Sequence, residues 1–110
     1  MDLAMNCYLF VASFPTSHHL GLLLRVTPQG LMVFEIASGS KVLEYNAKRR
    51  ALSKPEDAIQ VGDVMLGVNA VCAQPGQEEL LLQELHKAKR SGSGIILVLI
   101  REDWSTVGGG

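Results

Sequence analysis

His19-Leu20-Gly21-Leu22-Leu23-Leu24-Arg25-Val26 is the stretch whose reading decides the fold. Its first half has the form X-apolar-Gly-apolar. Gly21 reaches backbone angles that a β-carbon forbids, so adjacent N–H groups can converge on one point. A concavity of amides suits a carboxylate. Its second half alternates, with Leu22, Leu24 and Val26 on one face and Leu23 and Arg25 on the other, which reads as a strand. The same residues also read as a buried strand after an ordinary turn.

Composition sets the outer bounds. A chain of 110 residues builds one core rather than two. With 47% apolar and 19% charged residues, it is globular rather than disordered. A net charge of −1 provides no basic field for nucleic acid. Cys7 and Cys72 form neither a disulfide framework nor a zinc spacing, and are expected as isolated thiols in a reducing compartment. The longest apolar run, Ile95 to Ile100, is far short of a membrane span. The start, Met1 to Asn6, lacks a basic segment, which argues against a secretory signal and for a cytoplasmic protein.

Outward from the opening stretch, Cys7 to Ala12 is rich in β-branched and aromatic residues and stops before Pro15, as a first strand does. Leu20 to Val26 is the second. Thr27-Pro28-Gln29-Gly30 is a turn that leads into Leu31 to Ile36, so these strands form a hairpin. Lys41 to Tyr45 reads as a brief helix capped by Ser40. Asn46 to Glu56 is the least structured part by composition and carries the basic cluster Lys48-Arg49-Arg50. Gly62-Asp63 signals a turn, and Val64, Leu66 and Val68 alternate as a strand. Asn69-Ala70 allows a reversal into a short strand, Val71 to Ala73.

Gln77 to Arg90 is a helix, with Leu81, Leu82, Leu85 and Ala88 on one stripe. Glu78 and Glu79 in its first turn and Lys87, Lys89 and Arg90 in its last complement the helix dipole. Ile95 to Ile100 is apolar on both faces, so it is expected as a central or covered strand. Residues 1–6 read as an extension, 7–102 as one domain and 103–110 as a flexible tail.

This order of elements resembles a PDZ domain, from about Tyr8 to Arg101. Three segments carry the resemblance: His19-Leu20-Gly21-Leu22, similar to the family's carboxylate-binding loop; Gly30 through Ser40, similar to its third strand and following turn; and Val61-Gly62-Asp63-Val64-Met65-Leu66-Gly67-Val68-Asn69, similar to its Gly-Asp…Val-Asn segment. The resemblance implies an α+β fold, a small, partly open five- to six-stranded antiparallel β-barrel or sandwich capped by two helices. It also implies a module that captures the C-termini of other proteins, a ligand strand lying between the second strand and the second helix. The ligand carboxylate would rest on the loop His19, Leu20, Gly21 and Leu22. The groove would be built from Leu23, Leu24, Arg25 and Val26 of the strand and Glu78, Leu81, Leu82 and Leu85 of the helix, with Leu23 and Arg25 facing away from the pocket. A leucine-lined pocket favours a terminal Val, Leu, Ile or Phe, and Leu82 makes it shallower than in many members.

The departures bear on specificity. Where the family often has His at the start of the second helix, this chain has Glu78, or Gln77 if the register differs by one. An ionised Glu78 accepts from a hydroxyl or a cation two residues before the ligand end and repels an acid there. In place of the basic residue that commonly precedes the loop stand His18 and His19, unless amides alone suffice. The basic stretch before the Gly-Asp turn is longer than usual. Lys48, Arg49 and Arg50 read either as an exposed loop or as a contact to acidic lipid headgroups, and a dimerising or lipid-surface module of the same fold is the alternative function. Trp104-Ser105-Thr106-Val107 resembles a ligand, but three glycines follow it.

Catalysis has no support in the sequence. Ser17, His18 and His19 share one loop, His86 lies on a charged helical turn, and no phosphate loop is present. No cofactor is expected, nor a metal, since adjacent histidines on an extended chain point apart and lack a third ligand.

Overall fold

A computed structural model describes residues 6–103. Six strands and two helices follow one another as β1 (Asn6–Phe14), β2 (Leu22–Thr27), β3 (Gly30–Ile36), α1 (Lys41–Ala51), β4 (Val64–Val68), β5 (Val71–Cys72), α2 (Glu79–Ser91) and β6 (Ile95–Asp103), with a 3₁₀ turn at Pro55–Asp57 between α1 and β4. The sheet runs β1-β6-β4-β3-β2, every pair antiparallel, with β5 hydrogen-bonded to β4. β6 therefore lies between two partners, as its apolar composition predicts. Ile95, Leu97 and Leu99 are buried, and Ile96 alone is strongly exposed. β2 pairs only with β3 and forms one border of the sheet.

Two bulges curl the sheet. Phe34 is the extra residue on β3 between the pairs Leu23↔Glu35 and Leu24↔Val33. Leu66 is the extra residue on β4 between Met65↔Leu99 and Gly67↔Val98. An unpaired residue bends its strand and increases the local twist, which closes a flat sheet toward a barrel. The concave side holds the core, where Phe10, Leu31, Val33, Met65, Val68, Leu97 and Leu99 meet Leu81, Leu85 and Ala88 of α2. The expected reversal at Asn69 takes the left-handed conformation, φ +54°. Its Oδ1 accepts the Ile96 N–H at 3.0 Å, which fastens the turn to β6.

α1 corrects the reading of the middle of the chain. The expected brief helix at Lys41–Tyr45 continues to Ala51, so residues 46–51 are helical and Lys48, Arg49 and Arg50 form the last turn rather than a loop. Ser40 caps it as expected, its Oγ accepting the Leu43 N–H at 3.3 Å. The inner face holds Val42, Tyr45 and Asn46, which is why the apolar periodicity fades after Tyr45. Asn46 is 2% exposed and still faces the interior. Its amide bonds both the N–H and the C=O of Ile59, at 2.8 and 2.9 Å. Cations in the last turn complement the helix dipole. α2 starts two residues later than expected, at Glu79, and ends at Gly92 in the left-handed conformation, φ +67°. Cys7 and Cys72 are free and exposed. The ligand-like residues 104–107 lie outside the described part.

Candidate functional site

The glycine loop between β1 and β2 is held from two sides. On one, the buried Ser17 donates its hydroxyl to the Ala88 carbonyl at 2.6 Å, and Thr16 donates to the Gly92 carbonyl at 3.1 Å. Both acceptors belong to the C-terminal end of α2. On the other, three successive loop carbonyls accept from the start of α1 and the turn before it. His19 C=O takes the Lys41 N–H at 2.8 Å, Leu20 C=O the Val42 N–H at 3.2 Å, and Gly21 C=O the Ala37 N–H at 2.8 Å. The first N–H groups of a helix have no partner within it, and here the loop supplies two.

This arrangement fixes where the loop amides point. In a trans peptide the N–H lies opposite the carbonyl of the preceding residue, and the described chain has no cis bond. The N–H groups of Leu20 and Gly21 therefore face away from α1, and that of Leu22 away from the turn before it. Among the described residues, neither Leu20 N–H nor Gly21 N–H has a backbone acceptor. His19 and Gly21 achieve the bend with φ of +57° and +78°. Gly21 is required on a second ground, since a β-carbon there would lie 2.2 Å from Ser40 Cβ.

β2 continues from the loop with its outer border unpaired. Leu22 and Leu24 are half-buried and pack against the core, as does Leu82 of α2. Leu20, Leu81 and Leu85 lie deeper, at 2%, 0% and 3% exposed. Leu81, expected in the groove, thus belongs to the core below it. Leu23 and Arg25 lie on the opposite face, exposed, with the Arg25 guanidinium 5.3 Å from the centre of the Phe34 ring. Val26 is exposed near the far end of β2. A cavity of about 540 Å³ lies along α2, by Val71, Leu80, Lys87 and Arg90.

Glu78 immediately precedes α2 and is 9% exposed. Its Oε1 accepts the Gly76 N–H at 3.2 Å, so one carboxylate oxygen is engaged locally. Gln77 lies outside the helix and is exposed. His18 is packed over Gly92, where an added β-carbon would meet its ring at 2.3 Å, and His19 is exposed. Lys48, Arg49 and Arg50 lie in the last turn of α1. Sequence reasoning missed the anchors: nothing in the order Thr16-Ser17 announces a bond to a helix seventy residues later, and only Ser40, as a helix cap, carried a readable signal.

With this geometry in hand, comparison with solved structures places the fold: it is that of PDZ domains. The fifth PDZ domain of InaD superposes with a TM-score of 0.59 at 14% identity, over 89% of this chain and 91% of that one. The fourth and fifth PDZ domains of InaD bound to an NG2 peptide give 0.64 at 15% identity, over 94% of this chain and 46% of that one. The same pair bound to NORPA CC-PBM gives 0.56 at 14% identity, over 88% and 42%. This chain thus spans less than half the length of the latter two. No family model and no curated protein matches the sequence.

Proposed function

We propose that this domain is an interaction module that captures the C-terminal ends of partner proteins by adding their last residues as a strand to β2, alongside α2. The observation that carries the reading is the loop. Its three carbonyls are consumed by α1 and the preceding turn, so its three amides turn away from both. A carboxylate there receives charge-assisted hydrogen bonds, and the ligand backbone continues the ladder. Leu22, Leu24 and Leu82 form a shallow apolar seat for a terminal Val, Leu, Ile or Phe, over a floor of Leu20 and Leu85. Glu78 keeps one carboxylate oxygen free of local bonds and biases the residue two before the end toward a hydroxyl or a cation. Peptide-bound InaD domains of the same fold support the general mode. One short strand and one seat bury little area against an ordering cost, so affinity is of micromolar order.

Calorimetric titration with one peptide ending in Val, as free acid and as C-terminal amide, tests the reading. The free acid binds in the micromolar range, and the amide binds about tenfold or more weaker, the loss of a charged acceptor's bonds. Equal affinities would replace capture of chain ends with recognition of an internal segment.

A further inference from the structure

Ser17 is 0% exposed, and its hydroxyl donates to the Ala88 carbonyl at 2.6 Å. Thr16 beside it donates to the Gly92 carbonyl at 3.1 Å, and the His18 ring lies against Gly92. Three consecutive residues of the glycine loop therefore touch the last turn of α2 and its cap. The same loop then runs through Leu20 into β2, which forms the facing wall of the proposed groove. Ala88 lies one turn beyond Leu85, which forms part of the floor. The Ser17 bond thus joins the two walls at the closed end of the seat.

The helix terminus does not need this bond for itself. The Ala88 carbonyl also accepts the Gly92 N–H at 2.9 Å and the Ser91 hydroxyl at 3.1 Å, both from the end of α2. A carbonyl offers two lone pairs, so Ser17 is a surplus donor to a satisfied acceptor. What the bond supplies is position. Apart from the turns at its two ends, α2 with Gly92 receives hydrogen bonds, among the described residues, from Ser17, Thr16 and Asn69. The Asn69 bond, to Glu84 at 3.3 Å, is exposed. Only Thr16 and Ser17 tie the helix to the segment that leads into β2.

We infer that Ser17 is a positioning residue that sets the separation of β2 and α2, and thereby selects which final ligand side chain fits the leucine seat. This rests on the groove reading proposed above and adds a determinant of its specificity. Apolar packing is non-directional and tolerates a tilt of the helix, whereas a hydrogen bond of fixed length does not. An apolar pocket separates side chains that differ by one methylene about tenfold, so a small change in separation is read as selectivity. With the bond intact, the seat favours a terminal Val over Phe. Without it, α2 stays held at Glu84 and by the turn before it, tilts at its free end and admits the larger ring.

Otherwise identical free-acid peptides ending in Val and in Phe are titrated into the 110-residue chain, Ser17→Ala and Ser91→Ala. Ser17→Ala should lose about fivefold toward the Val peptide and less than about twofold toward the Phe peptide. Ser91→Ala removes a different bond to the same carbonyl and leaves the loop tied, so both affinities stay within about twofold of the parent. Residual dipolar couplings, recorded without peptide, should show α2 reoriented against the sheet in Ser17→Ala and unmoved in Ser91→Ala. Equal losses for the two peptides, an unchanged preference or unmoved couplings in Ser17→Ala overturn the inference, since a merely structural bond weakens both ligands alike. If Ser17→Ala does not fold by circular dichroism, Ser17→Cys, similar in shape with a weaker donor, is read by the same criteria. A parent that binds neither free acid overturns the groove reading and the selectivity with it. A parent that binds both, with a preference that Ser17→Ala leaves intact, overturns this inference alone.

Discussion

Gly21 meets two demands at once. Its φ of +78° lies where an L side chain is strained, and the space a β-carbon needs is occupied by Ser40. Gly39 shares the first demand only, with φ +69° and nothing within 4 Å of its missing β-carbon. Gly21→Ala should therefore cost about 2–4 kcal/mol in chemical denaturation and Gly39→Ala about 1 kcal/mol. Equal costs would mean that Ser40 yields, and that the loop is not braced against α1. Tyr8 gives a pH test. Its phenol donates to the Asp57 carboxylate, and that bond, with some desolvation and the Asp57 charge, pushes its pKa from 10.0 up to about 12. Burial raises Tyr45 as well. Both are the chain's complete tyrosine content. The folded phenols keep their protons where the unfolded chain loses them, so this stabilisation is intact below pH 10, declines above it and is gone beyond the folded pKa. Tyrosinate absorbance should emerge above the ordinary range in the folded chain and near it in denaturant. Tyr8→Phe should flatten part of the fall in Tm above pH 10; an unchanged slope would remove the Asp57 bond as its cause.

At the scale of elements, α1 depends on one amide. Asn46 fills a core position and closes both hydrogen-bonding groups of Ile59, a residue itself 1% exposed. Asn46→Ala leaves a buried N–H and C=O unpaired and should cost about 2–4 kcal/mol by denaturant midpoint at unchanged m. Asn46→Asp, which restores only the acceptor, should not recover it. A cost below about 0.5 kcal/mol would show that water replaces the side chain. The same residue explains what the sequence conceals. Strands with regular alternation and α2, with its leucine stripe, are legible because burial there is apolar. α1 is not, because its inner face passes from Val42 and Tyr45 to an amide and then a guanidinium, and polar residues in a row read as solvated. The glycine loop was legible for the opposite reason, since only a missing side chain permits its bend. The bonds that orient its amides were not, because they join carbonyls to helix N–H groups that no residue type encodes. Sheet order was not legible either, because alternation along a strand shows which face is buried and not which strand is its neighbour.

At the scale of the whole molecule, Arg101 near the end of β6 ties the last strand to the segment that precedes β4. Its guanidinium binds both oxygens of Asp63 at 2.8 Å, and it also donates to the carbonyls of Glu56 at 3.0 Å and Ala58 at 2.5 Å. Asp63 is 1% exposed and accepts the Gln60 N–H as well. The Gly62-Asp63 turn signal was readable from sequence; its partner thirty-eight residues later was not. The fork geometry makes the bond to Asp63 the leading reason that the Arg101 pKa is raised, so the guanidinium stays charged. Removing one member strands the other. Arg101→Met leaves a buried carboxylate without its counter-charge and should cost about 3–5 kcal/mol, whereas Arg101→Met with Asp63→Leu should cost clearly less than the sum of the single changes. Arg101→Lys keeps the charge, loses the fork and should recover only part. The cycle, measured by urea denaturation, separates a pair that holds three segments in register from one that merely occupies a turn. Additive single costs would place the segment before β4 in position by its backbone bonds alone, chiefly Val33 N–H to Asp63 C=O at 2.8 Å and Gly62 N–H to Val33 C=O at 2.7 Å.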